Sequence, residues 1–174
     1  MLETLLSEFG TDQGLPMLVI AVRVAGAALF SGVIGLEREI RKDTAGLRTH
    51  MLIGTAAAVF AVITIELMLL AQGDYGALRL DPLRLVEAVT GGVAFLAAGI
   101  VVYTKGNVKG LTTGAGMWLA ASIGLACGLG YWSIALIACV AGIIVIGLLR
   151  HVEVACGSKE LAGKSVTGSQ SSSE

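Results

Sequence analysis

The chain has 174 residues, 55% of them hydrophobic and 14% charged, with a formal net charge of −1 and a mean hydropathy of +0.83. A soluble domain carries about 25% charged residues, so this composition excludes an ordinary water-soluble globule and describes a lipid-embedded chain. The balanced charge excludes the strongly basic face that nucleic acid demands, and Cys127, Cys139 and Cys156 form no CxxC pair that would suggest a metal centre or a disulfide framework.

Residues 1–14 are read as a short extracytoplasmic segment. Its acidic residues (Glu3, Glu8, Asp12) and its lack of a basic n-region argue against a signal peptide. The first span is placed at 15–36, with Pro16 in the opening turn. The second covers 49–71. The third covers 83–104, opened by Asp81-Pro82 as cap and first helical residue.

Residues 110–149 then run without a charge, long enough as helix for about 60 Å, twice the thickness of a bilayer core. Gly128-Leu129-Gly130 divides this stretch into a fourth span at 113–128 and a fifth at 131–149. Residues 151–174 end in Gly-Ser-Gln-Ser-Ser-Ser-Glu and are read as a disordered polar tail. The expected fold is all-α, a polytopic bundle of five transmembrane helices occupying 15–150.

Basic residues set the expected orientation. The first loop holds Arg38, Arg41, Lys42 and Arg48, the third Lys105 and Lys109, and the tail Arg150, Lys159 and Lys164, whereas the other side holds Arg79 and Arg84. This asymmetry places the N-terminus outside and the C-terminus in the cytoplasm.

Two features inside the spans stand out. Thr112, Gly116, Ala120, Gly124 and Gly128 recur every four residues on the fourth span, a small-residue stripe suited to close helix packing. Internal bundle packing is the favoured reading, with a homo-oligomer seam or a docking groove as the alternative. Arg23, Glu66, Arg84 and Glu87 form a candidate intramembrane polar network. A lone arginine in lipid costs at least about 2.5–3.5 kcal/mol, so Arg23 is expected to find a carboxylate. Arg84 and Glu87 are spaced i, i+3 for pairing. A structural ion pair is favoured over a cation or proton pathway.

The first loop reads GLEREIRKDTAGLRTH over 35–50, with Glu37–Arg41 and Glu39–Lys42 spaced for helical pairing and Thr49 a candidate cap for the second span. The third reads KGNVKGLTTGAG over 105–116, with a turn at Gly106-Asn107 and Thr112 or Thr113 as the cap of the fourth span. That helix start, beside Lys105 and Lys109, favours an anion or an acidic partner group.

GLERE (35–39), AGLRTH (45–50), FLAAG (95–99) and GNVKGLTT (106–113) together resemble the MgtC/SapB family of bacterial inner-membrane proteins, over about residues 20–150. The resemblance implies a five-helix multi-pass protein of the bacterial cytoplasmic membrane, associated with magnesium homeostasis, growth at low magnesium and virulence. It also implies action on other membrane proteins, the proton-translocating ATP synthase among them. The family's recurring positions fall here on Glu37, Arg38, Glu39, Gly46, Leu47, Arg48, Thr49, Gly99, Asn107, Val108, Gly110, Leu111, Thr112 and Thr113. With Lys109 they gather at the cytoplasmic mouth, the leading location for a site. Better-known members carry a cytoplasmic domain after the fifth helix, where this sequence has its polar tail. FLGAG of the family is FLAAG here, and Ala88 stands where many members have Gln.

The expected function is that of a non-enzymatic regulator without cofactor or metal, working in the bilayer through protein partners. The alternative is a small Mg²⁺ or H⁺ transporter or channel using Arg23, Glu66 and Glu87.

Overall fold

The computed structural model describes residues 14–73, 81–104 and 107–148, without side chains for 71–73, 102–104 and 107–109. The expected N-terminal segment (but for Gly14) and the polar tail lie outside the described residues. Among the described residues the regular structure is helical apart from one small hairpin. Helix α1 is Met17–Ile40, α2 Leu47–Gly73, α3 Pro82–Ile100 and α4 Leu111–Leu129. Each of these four contains a stretch long and apolar enough to cross a membrane, and α5, Trp132–Leu148, is a shorter apolar helix. The chain divides into two units, Met1–Cys139 and Val140–Glu174. The first holds α1 to α4 and the start of α5; in the second, residues 140–148 are helical.

The five expected spans are all present as helices, with boundaries moved by a few residues. One expected boundary is corrected. The third span does not continue to Thr104, because α3 stops at Ile100 and Val102–Thr104 (β1) pairs antiparallel with Asn107–Lys109 (β2). The register sets Val102 opposite Lys109, Tyr103 opposite Val108 and Thr104 opposite Asn107. Val101, Val102, Tyr103 and Thr104 are β-branched or aromatic, types that favour extended backbone, and their apolarity reads equally well as helix.

Close packing centres on α4, whose span is 67% buried within the protein, against 6% for α3. The stripe predicted on α4 lies against α2. A Cβ on Gly124 would come within 2.7 Å of the Gly54 Cα, and one on Gly128 within 2.7 Å of the Ala58 Cα. On its other side Gly54 meets Ser31 and the Ala27 carbonyl of α1. Three backbones therefore converge where none carries a bulky side chain. In lipid, where apolar surface has nothing to escape from, this intimacy of van der Waals contact is what holds helices together. Ser31, fully buried, satisfies its hydroxyl on the Ala27 carbonyl of its own helix.

Helix α3 is held more loosely. Val89 and Val93 join a cluster with Ala57, Ala61, Met117, Ala121 and Leu125, and Ala97 touches Gly114. Between α2 and α3 an apolar groove of about 490 Å³ stays open, lined by Ile53, Phe60, Leu85, Val89, Gly92 and Leu96 among others. The start of α5 packs on α1. Trp132 meets Phe30 edge to face at 6.4 Å and lies over Gly26, and the Cys139 thiol approaches the Phe30 carbonyl at 3.6 Å.

This packing predicts opposite outcomes for two glycine substitutions. Gly124→Leu drives a side chain into the α2 backbone, and overpacking of this kind costs about 3 kcal/mol or more. Gly99→Ala enters space with nothing within 4 Å and leaves stability within about 0.5 kcal/mol. Thermal unfolding of the two purified variants in the same detergent checks both.

Candidate functional site

The end of the bundle formed by the α1–α2 loop and the start of α4 brings the family-motif residues together. Helix α1 ends in a Schellman-type turn: Asp43 N–H bonds the Arg38 carbonyl (3.2 Å), Lys42 N–H bonds the Glu39 carbonyl (3.0 Å), and Lys42 takes φ 58°. This turn aims Arg38 inward, where it is 6% exposed. Its guanidinium is split between two partners. Nη1 donates to Asp43 Oδ2 at 3.0 Å and Nη2 to the Thr112 carbonyl in the first turn of α4 at 3.2 Å. One side chain thus ties α1, the loop and α4, and Asp43 supplies the negative charge that a buried guanidinium requires.

Beside it, Glu37 pairs with Arg41 as the i, i+4 spacing predicted, and its other oxygen is 3.8 Å from Arg38 Nε. Glu39 does not pair with Lys42. Its carboxylate accepts from the Leu47 N–H at 3.0 Å and so caps α2 across the loop, with the carboxylate charge at the positive end of that helix. The expected cap at Thr49 is therefore corrected to Glu39, since the chain enters helix two residues earlier, at Leu47. The cap of α4 is likewise not Thr112 or Thr113 but Gly110, at φ 90°, with no side-chain cap. A Cβ there would lie 2.7 Å from the Ile100 carbonyl oxygen, so the return from the hairpin needs glycine. Thr113 is buried and Arg48 exposed; the side chains of Asn107 and Lys109 lie outside those described.

His50, 0% exposed, completes this end. With the proton assigned to Nδ1, the ring donates to the Gly46 carbonyl at 2.8 Å. Its Nε2 then lies 3.1 Å from where a Cβ on Gly116 would stand, and Arg38 Nε lies 3.7 Å from the same point. His50 Nε2, Arg38 Nε and Glu37 Oε2 are buried without a hydrogen-bond partner among the described residues. An open polar cleft of about 460 Å³ adjoins them, lined by Lys42, Asp43, Thr44 and Gly110 to Thr113. Asp43 and His50 were not among the sequence-derived site residues. The AGLRTH motif contains His50, but only burial against Gly116 reveals its place.

The four residues of the expected polar network are not joined to one another. Arg23 donates through Nη1 to the Gly128 carbonyl at 2.9 Å, not to a carboxylate. That carbonyl belongs to the last turn of α4, where Gly130 (φ 85°) N–H bonds the Cys127 carbonyl at 3.0 Å and Tyr131 N–H bonds the Ala126 carbonyl at 2.8 Å. Arg23 therefore satisfies an end-of-helix oxygen that the turn leaves over, and it lies at the negative end of the helix dipole. Glu66 accepts from the Leu15 N–H at 2.7 Å, at the entry to α1. Arg84 and Glu87 are both exposed on α3 with no ion pair between them.

Arg38 is the residue on which this end depends. Arg38→Ala strands Asp43 and removes the tie between α1 and the start of α4, a loss of about 3 kcal/mol for a buried pair with one partner removed. Arg38→Lys keeps a charge for Asp43 but lacks the fork that also reaches Thr112, and falls between the two. Thermal unfolding of both variants gives the ranking.

Comparison with known proteins identifies the family. The MgtC family model matches residues 24–155. "Protein MgtC" of Brucella abortus (strain 2308) is 40% identical over 135 residues, 78% of this chain and 53% of that protein. "Putative magnesium transporter YhiD" of Escherichia coli (strain K12) is 35% identical over 133 residues, 75% of this chain and 60% of that protein. "Protein MgtC" of Salmonella typhimurium (strain 14028s / SGSC 2262) is 34% identical over 140 residues, 80% of this chain and 56% of that protein. The chain spans somewhat more than half the length of these curated relatives. No solved structure matches it. Apolar helices of membrane-crossing length, the motif-bearing end around Arg38 and the match over 24–155 together make this chain a multi-pass membrane protein that belongs to the MgtC family.

Proposed function

We propose that this chain is a non-enzymatic regulator in the bacterial cytoplasmic membrane, linked to magnesium homeostasis and acting by binding other membrane proteins. The basic-residue asymmetry orients it with the N-terminus outside, so the Arg38 end faces the cytoplasm. The observation that carries the reading is the polar cleft beside Arg38. It is lined by Lys42, Asp43 and Thr44 of the α1–α2 loop and by Gly110 to Thr113 at the start of α4, and the last four belong to a family motif. A cleft with two of its lining residues, Asp43 and Thr112, tied together by one buried guanidinium is a preorganised receptor for a polar segment of a partner, which loses less freedom on docking to a rigid surface. By the family resemblance, the membrane part of the ATP synthase is one such partner.

A second reading is transport of Mg²⁺ or H⁺. It is favoured by the printed name of the Escherichia coli relative. Against it, Arg23 and Glu66 are engaged with backbone groups at helix ends and do not line a shared path.

Two measurements separate the readings. Purified protein in liposomes is expected to pass no Mg²⁺ or H⁺ above empty vesicles, and a flux that Glu66→Gln abolishes would establish the second reading in place of the first. A deletion strain is expected to grow poorly at low magnesium, with rescue by the intact gene and not by Arg38→Ala. Cross-linking in native membranes is expected to recover partner proteins with the intact chain and fewer with Asp43→Lys.

A further inference from the structure

The helix that contributes least to the bundle carries charge on its outward side. Helix α3 turns Leu85, Val89, Val93 and Leu96 toward α2 and α4. Arg84, Glu87, Gly91, Ala94 and Ala98 follow one another at three- and four-residue spacing on the opposite side, and all five are exposed. Phe95 lies on that side too, 79% exposed. Gly91 has nothing within 4 Å of where its Cβ would stand. Neither the Arg84 nor the Glu87 side chain has a hydrogen bond or an ion pair among the described residues.

Glu87 sits five residues into α3, about 7 Å along its axis. A carboxylate at that depth facing acyl chains is costly, and such groups are expected to find a partner. The geometry points to a second copy of this chain as that partner, with the outward faces of two α3 helices packed about a two-fold axis along the membrane normal. Two copies inserted with the same orientation lie parallel, and residue i of one meets residue j of the other while j meets i. Arg84 and Glu87 are one turn apart on one face and opposite in sign. Within one chain the two are spaced for pairing but do not pair; across the two-fold axis each Arg84 reaches the other copy's Glu87, and the pair forms twice. Below the charges, Gly91, Ala94 and Ala98 let the two backbones come close. Charge complementarity selects this occupant; small residues alone would not. The inference stands independently of the regulatory reading above.

The test is energy transfer between donor- and acceptor-labelled full-length copies in liposomes of zwitterionic lipid, diluted stepwise. The wild type is expected to associate, Glu87→Arg to weaken association about tenfold by setting like charges together, and the double variant Arg84→Glu/Glu87→Arg to restore it to within about twofold. Gly91→Leu is expected to weaken it as well. Circular dichroism confirms that each variant remains helical, and the double variant guards against a folding defect read as dissociation. A wild type monomeric at every dilution would overturn the proposal, as would association indifferent to Glu87→Arg or a double variant no better than the single one. Repeating the series with anionic lipid separates pairing between copies, which needs both charges, from attraction of Arg84 to headgroups, which Glu87→Arg would strengthen.

Discussion

Everything in this bundle depends on three backbones meeting at one level, where Gly54 of α2 takes Gly124 of α4 on one side and Ser31 of α1 on the other. Water would hold apolar helices together by excluding them, but lipid does not, so association must come from contact itself. Contact energy falls off steeply with separation. A side chain at Gly54 or Gly124 would part α2 from α4, and each later contact, up to Gly128 on Ala58, would open with it. The richness in glycine that a soluble protein would use for turns is used here for proximity.

That proximity leaves a second constraint, because tightly packed helices still end, and their last carbonyls and first amides must find partners outside their own helix. The chain meets this with long charged side chains borrowed from other elements. Arg23 reaches from α1 to the final turn of α4, Glu66 from α2 to the entry of α1, and Glu39 from α1 to the first amide of α2. Each charge is of the sign that the helix end favours. Arg38 departs from this pattern. It brings a cation to the start of α4, the wrong end by dipole, and is tolerated through Asp43. Two carboxylates, Asp43 at 3.0 Å and Glu37 at 3.8 Å, hold this cation against its local preference.

How much of this was legible follows from which interactions are local. The spans could be read because apolar length is a property of consecutive residues, and the Asp81-Pro82 start and the Gly130 stop because capping acts within a few positions. The packing face of α4 was visible as a four-residue rhythm of small residues. Partners across the bundle were not visible. Arg23 called for a counter-charge, yet the vacant acceptor was a carbonyl 105 residues away that only the folded turn exposes. Glu39 had a lysine at helical distance, but the helix ends before that spacing operates and an amide eight residues on takes its place. The hairpin at 102–109 was hidden because Val101 to Tyr103 prolong an apolar run that strand and helix share.

The same reasoning leaves α3 as the element whose role within one chain is incomplete. Its inward residues, Val89 and Val93, suffice to seat it on α4, but its glycines do not serve that contact: Gly91, Gly92 and Gly99 have nothing near them. Glycine weakens a helix by about 1 kcal/mol relative to alanine, so three such positions without a neighbour are a cost with no return inside the monomer. On α4, by contrast, Gly114, Gly116, Gly124 and Gly128 each meet a neighbouring element. A helix that bears the cost of small residues, and of Arg84 and Glu87 side chains with no partner among the described residues on its open side, is built for an approach from outside its own chain.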